Sequence, residues 1–173
     1  MISISRAGLR VGVIALSLGL SLVLWLTPAS GLADEATLSV YKTPTCGCCT
    51  KWIEHLEAAG FRVEAKDLQS LALIKASNGV PRRLASCHTA LIGGYVIEGH
   101  VPAGDIARLL EERPDVSGLA VPGMPLGSPG MEHPDPRRHE TYEVLAFGAD
   151  GRVSVFARHA PGDQPGGHPA HAH

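Results

Sequence analysis

Three of the four cysteines of this chain stand within four residues, in the run Cys46-Gly47-Cys48-Cys49, and the fourth is Cys87. Disulfides that close such short loops restrict the unfolded chain little, so a stapling role explains these cysteines poorly. Because 45% of the 173 residues are hydrophobic, the chain has enough apolar content to fill a core without cross-links. We therefore expect a globular fold that presents the sulfur atoms for chemistry.

The segments on either side of the cysteine run predict a strand and a helix. Residues 38–41 form a short, mostly apolar strand, and Thr43-Pro44-Thr45 interrupts it before the cysteines. A helix is expected to begin at the cysteine run and to end at Gly60. Its apolar positions recur at helical spacing, at Trp52, Ile53, Leu56 and Ala59. The dipole of such a helix would favour a thiolate at its amino end.

The next elements repeat this alternation and then add a hairpin. Residues 61–66 alternate with period two and predict a second strand, after which Asp67 is expected to cap a helix that ends at Asn78-Gly79. Segments 89–92 and 95–97 are two short strands, and the Gly-Gly pair between them predicts the tight turn of a β-hairpin.

A final helix is expected over about 103–112, which completes a core domain over 34–117. The order βαβαββα is that of the thioredoxin-like fold, an α/β architecture. In such a fold, the loop after the first strand lies beside the loop that enters the hairpin, which here is 85–89. Cys87 is therefore expected to meet the cysteine run in space.

Two segments follow the predicted core. Residues 118–140 are rich in proline and glycine and predict a loop, which carries Pro-Gly-Met twice, at Met124 and Met131. Their thioether sulfur suits Cu(I), and the alternative is that both side chains fill gaps where the loop packs. A lid over the cysteines is the best use of this loop. Residues 141–158 alternate with period two and predict an added C-terminal β-hairpin packed on the core.

The amino end, residues 1–33, has the features of a secretory signal. Arg6 and Arg10 precede an apolar run over 11–26, which small and helix-breaking residues follow. We expect export to the periplasm and cleavage near Asp34, leaving a soluble protein that no longer contacts the membrane. The alternative, an uncleaved anchor, is disfavoured because the apolar run is shorter than a spanning helix.

Composition and charge limit the partners. With 15 Lys and Arg against 17 Asp and Glu, the chain has no basic excess to neutralise phosphates, so nucleic acid is not an expected partner. The tail over 159–173 is expected to be disordered. Its histidines, His168, His171 and His173, either capture divalent ions weakly or have no role.

The cysteines allow three kinds of function. Cys46 and Cys49 form a C-x-x-C pair, which would suit a thiol-disulfide oxidoreductase with Cys46 as attacking thiolate and Cys49 as resolving thiol. Alternatively, the run and Cys87 form a soft-ligand site for Cu(I), which Zn²⁺ would also accept. The third possibility is a domain with inert disulfides, which an oxidising compartment would permit.

Two departures from a simple dithiol favour metal. Cys48 lies inside the C-x-x-C pair and would divert its disulfide chemistry, and Cys87 stands where thioredoxin-like oxidoreductases commonly have a proline. The adjacent Cys48 and Cys49 cannot easily aim at one ion, which suggests more than one metal. His88 is a candidate further ligand or supporting group, with a surface or hydrogen-bonded role as the alternative. For His100 the same two roles stay open, ligand or surface and hydrogen-bonded residue.

Four motifs together resemble the DUF411 family of metal-binding proteins over about 38–157. They are Thr43-Pro-Thr-Cys-Gly-Cys-Cys-Thr-Lys-Trp52, Ser86-Cys-His-Thr89, Gly94-Tyr-Val-Ile-Glu-Gly-His-Val-Pro102 and the Pro-Gly-Met segment over 118–132. The resemblance implies a thioredoxin-like domain that binds copper as a polynuclear, thiolate-bridged Cu(I) site. It also implies a place in a periplasmic copper-tolerance system, with other proteins of that system as partners. The family's ligands carry over to Cys46, Cys48, Cys49 and Cys87. A redox role that interconverts Cu(I) and Cu(II) would make the chain a copper oxidoreductase.

Overall fold

The computed structural model describes residues 37–162. The expected signal over 1–33 and the three histidines at 168, 171 and 173 lie outside the described residues. Within residues 37–162, every helix is too short or too polar to span a lipid bilayer.

Seven strands and three α-helices make up the described part of the chain. In chain order they are β1 (Leu38–Lys42), α1 (Gly47–Ala58), β2 (Val63–Asp67), α2 (Ala72–Ser77), β3 (Thr89–Ile92), β4 (Tyr95–Glu98), α3 (Ala103–Glu112), β5 (Gly118–Ala120), β6 (Tyr142–Phe147) and β7 (Val153–His159). Short 3-10 turns lie at Arg82–Leu84 and Pro136–Arg138. The predicted α/β class is confirmed.

The seven strands form one mixed sheet in the order β2-β1-β3-β4-β5-β6-β7. The pairs β1/β2 and β4/β5 are parallel, and the other four pairs are antiparallel. Alternate residues of β4, β5 and β6 face two different apolar clusters, because side chains alternate across a strand. The larger cluster packs α1 and α3 against the sheet, through Trp52, Ile53, Leu56, Ile106 and Leu109.

The first helix ends where the sequence predicted. Gly60 adopts a φ of +93° and its N–H donates to the Glu57 carbonyl, while the Phe61 N–H donates to the Leu56 carbonyl at 3.0 Å. These two bonds form a Schellman motif, which needs a residue in the left-handed region and so favours glycine. The buried face of α1 is held further by Trp52, whose Nε1–H donates to the Val101 carbonyl at 2.8 Å.

The predicted cap of the second helix is wrong. Asp67 is the last residue of β2, where it stands in register with Lys42, and its carboxylate lies 2.8 Å from the Lys42 ammonium. Parallel pairing with β1 therefore carries the second strand through Asp67, and α2 begins only at Ala72. The strand also starts at Val63, two residues later than the alternation suggested.

The segment predicted as a loop over 118–140 begins instead with a strand. Gly118–Ala120 forms β5, is fully buried and joins β4 to β6 within the sheet. A Cβ at Gly118 would lie 1.9 Å from the Val96 carbonyl oxygen, so only glycine permits this close approach. Through β5, the antiparallel pair β6/β7 continues the sheet.

Candidate metal centre

The cysteine run lies at the amino end of α1. Cys46 is the residue that precedes the helix, in an extended conformation, and Cys48 and Cys49 belong to its first turn. A turn after β1 brings the chain into the helix, with the Cys46 N–H donating to the Thr43 carbonyl at 3.1 Å. The cysteine run therefore lies at the positive end of the helix dipole.

Cys87 approaches this run from the loop that enters β3. Its Sγ lies 3.9 Å from the Cys48 Sγ, which in turn lies 3.5 Å from the Cys46 Sγ. The sulfur atoms of all four cysteines lie within 4.8 Å of one another. The fold thus closes a separation of 39 residues between Cys48 and Cys87 and forms one sulfur cluster, which we call the four-cysteine cluster.

One disulfide is present within the cluster. Cys46 and Cys49 are bonded, with Cα atoms 5.3 Å apart, whereas Cys48 and Cys87 are free thiols. The first helical turn places residues i and i+3 on one side of the helix, within the range that a disulfide spans. The bonded pair is the C-x-x-C pair on which the oxidoreductase interpretation depends.

His100 joins the site, whereas the sequence alone left open whether it is a ligand or a surface or hydrogen-bonded residue. Its Nε2 lies 3.0 Å from the Cys87 Sγ, and its Nδ1–H donates to the Pro129 carbonyl at 2.7 Å. The second bond sets the tautomer and leaves the Nε2 lone pair facing the thiol. The predicted hairpin could have indicated this contact. Its strands β3 and β4 pair Thr89 with Glu98, which brings Cys87, before β3, close to His100, after β4.

His88 is fully buried beside the same thiol. Its Nδ1 lies 3.3 Å from the Cys87 Sγ, and its ring packs on Trp52 at a centroid distance of 4.2 Å and against His100 at 5.1 Å. Its Nε2 has no hydrogen-bond partner among the described residues. A buried ring nitrogen without a partner is costly, and a bound ion is one of the few things that would satisfy it.

Burial shifts the pKa values of these groups towards their neutral forms. Burial, followed by the charge of Cys48, raises the pKa of Cys87 to about 12. Burial lowers the pKa of His88 well below its usual value, with His100 and Lys75 adding to the effect. The pKa of His100 is also lowered, again by burial. The imidazoles are therefore neutral and able to coordinate, whereas Cys87 must lose a proton to do so.

The loop after β5 reaches the site through its backbone. Besides accepting from His100 at Pro129, it packs Gly130 against α1, where a Cβ would lie 2.6 Å from the Cys48 carbonyl oxygen. Met131 follows at once and is half-buried, whereas Met124 is 53% exposed. Of the two candidate methionines, the structure therefore places Met131 beside residues that contact the site and leaves Met124 about half exposed.

The donors in this region fit a soft metal ion. Four cysteine sulfur atoms form one group, and Cys87, His88 and His100 form a second group whose ligand atoms also lie within 4.8 Å of one another. Thiolate sulfur favours Cu(I) and also binds zinc, and neutral imidazole suits both metals. Cys87 belongs to both groups.

Two comparisons with known proteins give matches. The family model described as "Protein of unknown function, DUF411" matches residues 84–131. The solved structure named "Copper resistance protein copG- Form 2" is 46% identical, with a TM-score of 0.68, and the match covers 72% of this chain and 98% of that one. The structure named "Copper resistance protein copG- Form 1" is also 46% identical, with a TM-score of 0.67, and the match covers 71% of this chain and 96% of that one. No curated protein matches the chain.

The fold and the site define an α/β protein with a cysteine and histidine cluster able to hold metal. The chain belongs to the DUF411 family and is CopG-like. The family match over 84–131 includes Cys87, His88, His100 and Met131.

Proposed function

We propose that this chain is an exported, periplasmic copper-binding protein with a thioredoxin-like core, which holds Cu(I) in copper resistance. The observation that carries the proposal is the four-cysteine cluster, whose sulfur atoms lie within 4.8 Å of one another beside two neutral imidazoles. The 46% identity to solved copper resistance proteins supports the choice of copper over zinc. Cys46, Cys48, Cys49 and Cys87 are the proposed ligands, and together they would hold more than one ion.

Binding through all four sulfur atoms requires a chemical change in the cluster. Reduction of the Cys46–Cys49 disulfide by two electrons frees both sulfur atoms as thiolates. Cys87 gives up its proton when it binds, so Cu(I) and protons compete for its sulfur. The His100 ring, oriented by the Pro129 carbonyl, would direct Nε2 at an ion held by Cys87.

His88 and Met131 would complete the site. The buried and unpartnered Nε2 of His88 supports a role as ligand or as a group that caps the cluster. Met131 would supply thioether sulfur from the loop over the site, which acts as the lid. Met124 would need a rearrangement of the loop to bind, because its side chain is 53% exposed.

A redox role is compatible with the same residues. Oxidation of two thiolates to the Cys46–Cys49 disulfide releases two electrons, which is enough to reduce two Cu(II) ions to Cu(I). An external dithiol would then restore the thiolates and take up the disulfide. The chain would in that case act as a copper oxidoreductase.

The disulfide favours one further candidate, a thiol-disulfide oxidoreductase. Cys46 would attack a substrate disulfide, and Cys49 would resolve the mixed disulfide, leaving the substrate reduced and the Cys46–Cys49 bond formed. Cys48 counts against this function, because its sulfur lies 3.5 Å from that of Cys46 and would compete in the exchange.

An anaerobic titration of the reduced, metal-free protein with Cu(I) against a chromophoric chelator separates the candidates. We expect several Cu(I) ions per chain in the wild type and loss of most of them in Cys87→Ser. Full binding by Cys87→Ser would contradict the copper site. The oxidoreductase candidate instead predicts insulin reduction that survives Cys48→Ser and does not depend on metal chelators.

Export is tested separately. Expression of the full chain in a Gram-negative host should yield a periplasmic protein whose first residue lies near Asp34. A cytoplasmic product that retains residues 1–33 would contradict the proposed location.

A further inference from the structure

A buried carboxylate contacts the segment that enters β3 and carries Cys87, which we call the Cys87 loop. Glu98, the last residue of β4, is fully buried, and its carboxylate pairs with the ammonium group of Lys75 from α2. Burying a carboxylate costs free energy, which an ion pair repays only where the remaining lone pairs also find donors. The other hydrogen-bond donors to the Glu98 carboxylate therefore identify the residues that it holds in place.

The two carboxylate oxygens of Glu98 bind the residues on either side of Cys87 and His88. Oε1 accepts from the Ser86 backbone N–H at 2.6 Å, and Oε2 accepts from the Thr89 hydroxyl at 2.8 Å. One buried side chain thus binds both ends of the two-residue segment that carries the Cys87 sulfur.

Lys75 also binds this segment. Its Nζ donates to the Thr89 hydroxyl at 3.0 Å and to the His88 carbonyl at 3.4 Å, in addition to the Glu98 carboxylate. The helix α2 has only six residues and buries none of them, so Lys75 forms its polar connection to the site.

We propose that Glu98 and Lys75 are positioning residues, which hold the Cys87–His88 segment so that the Cys87 sulfur faces the cysteine run. Their effect on copper rests on the proposed function, whereas their effect on the position of Cys87 does not. A hydrophobic pair could fill the same space, but it would leave the Ser86 N–H and the Thr89 hydroxyl without their acceptor.

The positioning role is tested first without metal. In the disulfide form, Cys48 and Cys87 are the two free thiols, so mass spectrometry can follow the alkylation of each by iodoacetamide. We expect Glu98→Gln to speed alkylation of Cys87 several-fold relative to that of Cys48. Thr89→Val keeps both charges and the β-branched shape, and we expect a smaller change in the same direction.

Asp105→Asn is the matched control. Asp105 is also a buried carboxylate, but it lies in α3, where it pairs with His159 at 2.6 Å and Arg108 at 3.6 Å rather than with the Cys87 loop. We expect it to leave the Cys87 to Cys48 ratio unchanged. An unchanged ratio in both Glu98→Gln and Thr89→Val, or an equal rise in Asp105→Asn, would overturn the proposal.

The second test measures Cu(I) affinity of the reduced protein. Groups that orient a metal ligand typically change affinity about 10- to 100-fold when they are removed, so Glu98→Gln should weaken Cu(I) binding by about that factor. Wild-type affinity in Glu98→Gln would overturn the effect on copper. A wild type that binds no Cu(I) refutes the proposed function instead, and the alkylation ratios still decide the positioning role.

Discussion

Gly130 allows a direct test of how the loop after β5 packs on α1. It adopts a φ of +83°, and a Cβ built on it would lie 2.6 Å from the Cys48 carbonyl oxygen and 2.8 Å from the Trp52 backbone nitrogen. Both neighbours are backbone atoms of α1, which cannot rotate away as a side chain could. Gly130→Ala therefore forces either the loop or the helix to move.

Gly123 provides the comparison that separates two costs. It has a similar φ of +70° on the same loop, but a Cβ there would meet no atom within 4 Å. Alanine in the left-handed region costs about 1–2 kcal/mol at either position. The clash at Gly130 adds about 1–3 kcal/mol, the usual cost of an overpacked contact. The entropy that alanine removes from the unfolded chain is shared by both variants and cancels.

Urea unfolding of the metal-free protein measures the difference. Trp52 is buried and is the only tryptophan after residue 33, so its fluorescence follows the unfolding of α1. We expect Gly130→Ala to lose about 1–3 kcal/mol more than Gly123→Ala in the free energy of unfolding. Equal losses would refute the close packing of the loop on α1.

Three further predictions concern pH and the core. Burial lowers the pKa values of His55, His88 and His100, so at these residues the folded chain binds fewer protons than the unfolded chain. In urea unfolding, the stability of the metal-free protein should be full above a pH of about 6.5 and should fall below that pH. The fall should be less steep in His55→Gln. Stability that rises on acidification would contradict this sign. Because Cys87 has a pKa of about 12, chelator competition should give a Cu(I) affinity that increases with pH from 6 to 9, and a flat profile would exclude Cys87 as a thiolate ligand. Trp52→Phe removes the bond to the Val101 carbonyl and should cost about 1–3 kcal/mol in urea unfolding, followed here by circular dichroism because the variant lacks the fluorescent side chain, whereas a neutral effect would show that this carbonyl finds another donor.

Local patterns predicted the elements that surround the cysteines. The helix after the cysteine run shows its apolar face at Trp52, Ile53 and Leu56, and its end at Gly60 follows from the need for a positive φ. Such signals depend on neighbouring residues alone, so a sequence reveals them. The meeting of Cys87 with the run followed from the order of the elements.

The errors arose where distant pairing overrides local preference. Asp67 has the character of a helix cap, but its register with Lys42 in β1 keeps it in a strand. The three residues of β5 stand among prolines and glycines and become a strand because β4 and β6 pair with them on both sides. These pairing partners lie too far along the chain to be inferred from the residues next to Asp67 or β5.

The polar parts of the site were hidden for a similar reason. His100 becomes part of the centre through Cys87 and through the Pro129 carbonyl, 29 residues further along the chain. Glu98 lies in an apolar strand, where its burial with Lys75 emerges only when α2 packs against the hairpin. A sequence shows which residues can act as ligands, but the contacts that orient them depend on the tertiary fold.

X-ray absorption at the copper edge tests the central claim most directly. The measurement uses reduced wild-type protein and Cys87→Ser, each loaded anaerobically with Cu(I). The account predicts that sulfur atoms are the nearest neighbours of copper in the wild type, with scattering from a second copper ion, and that both signals decrease in Cys87→Ser. Coordination by nitrogen and oxygen alone, or identical spectra for the two proteins, would contradict it.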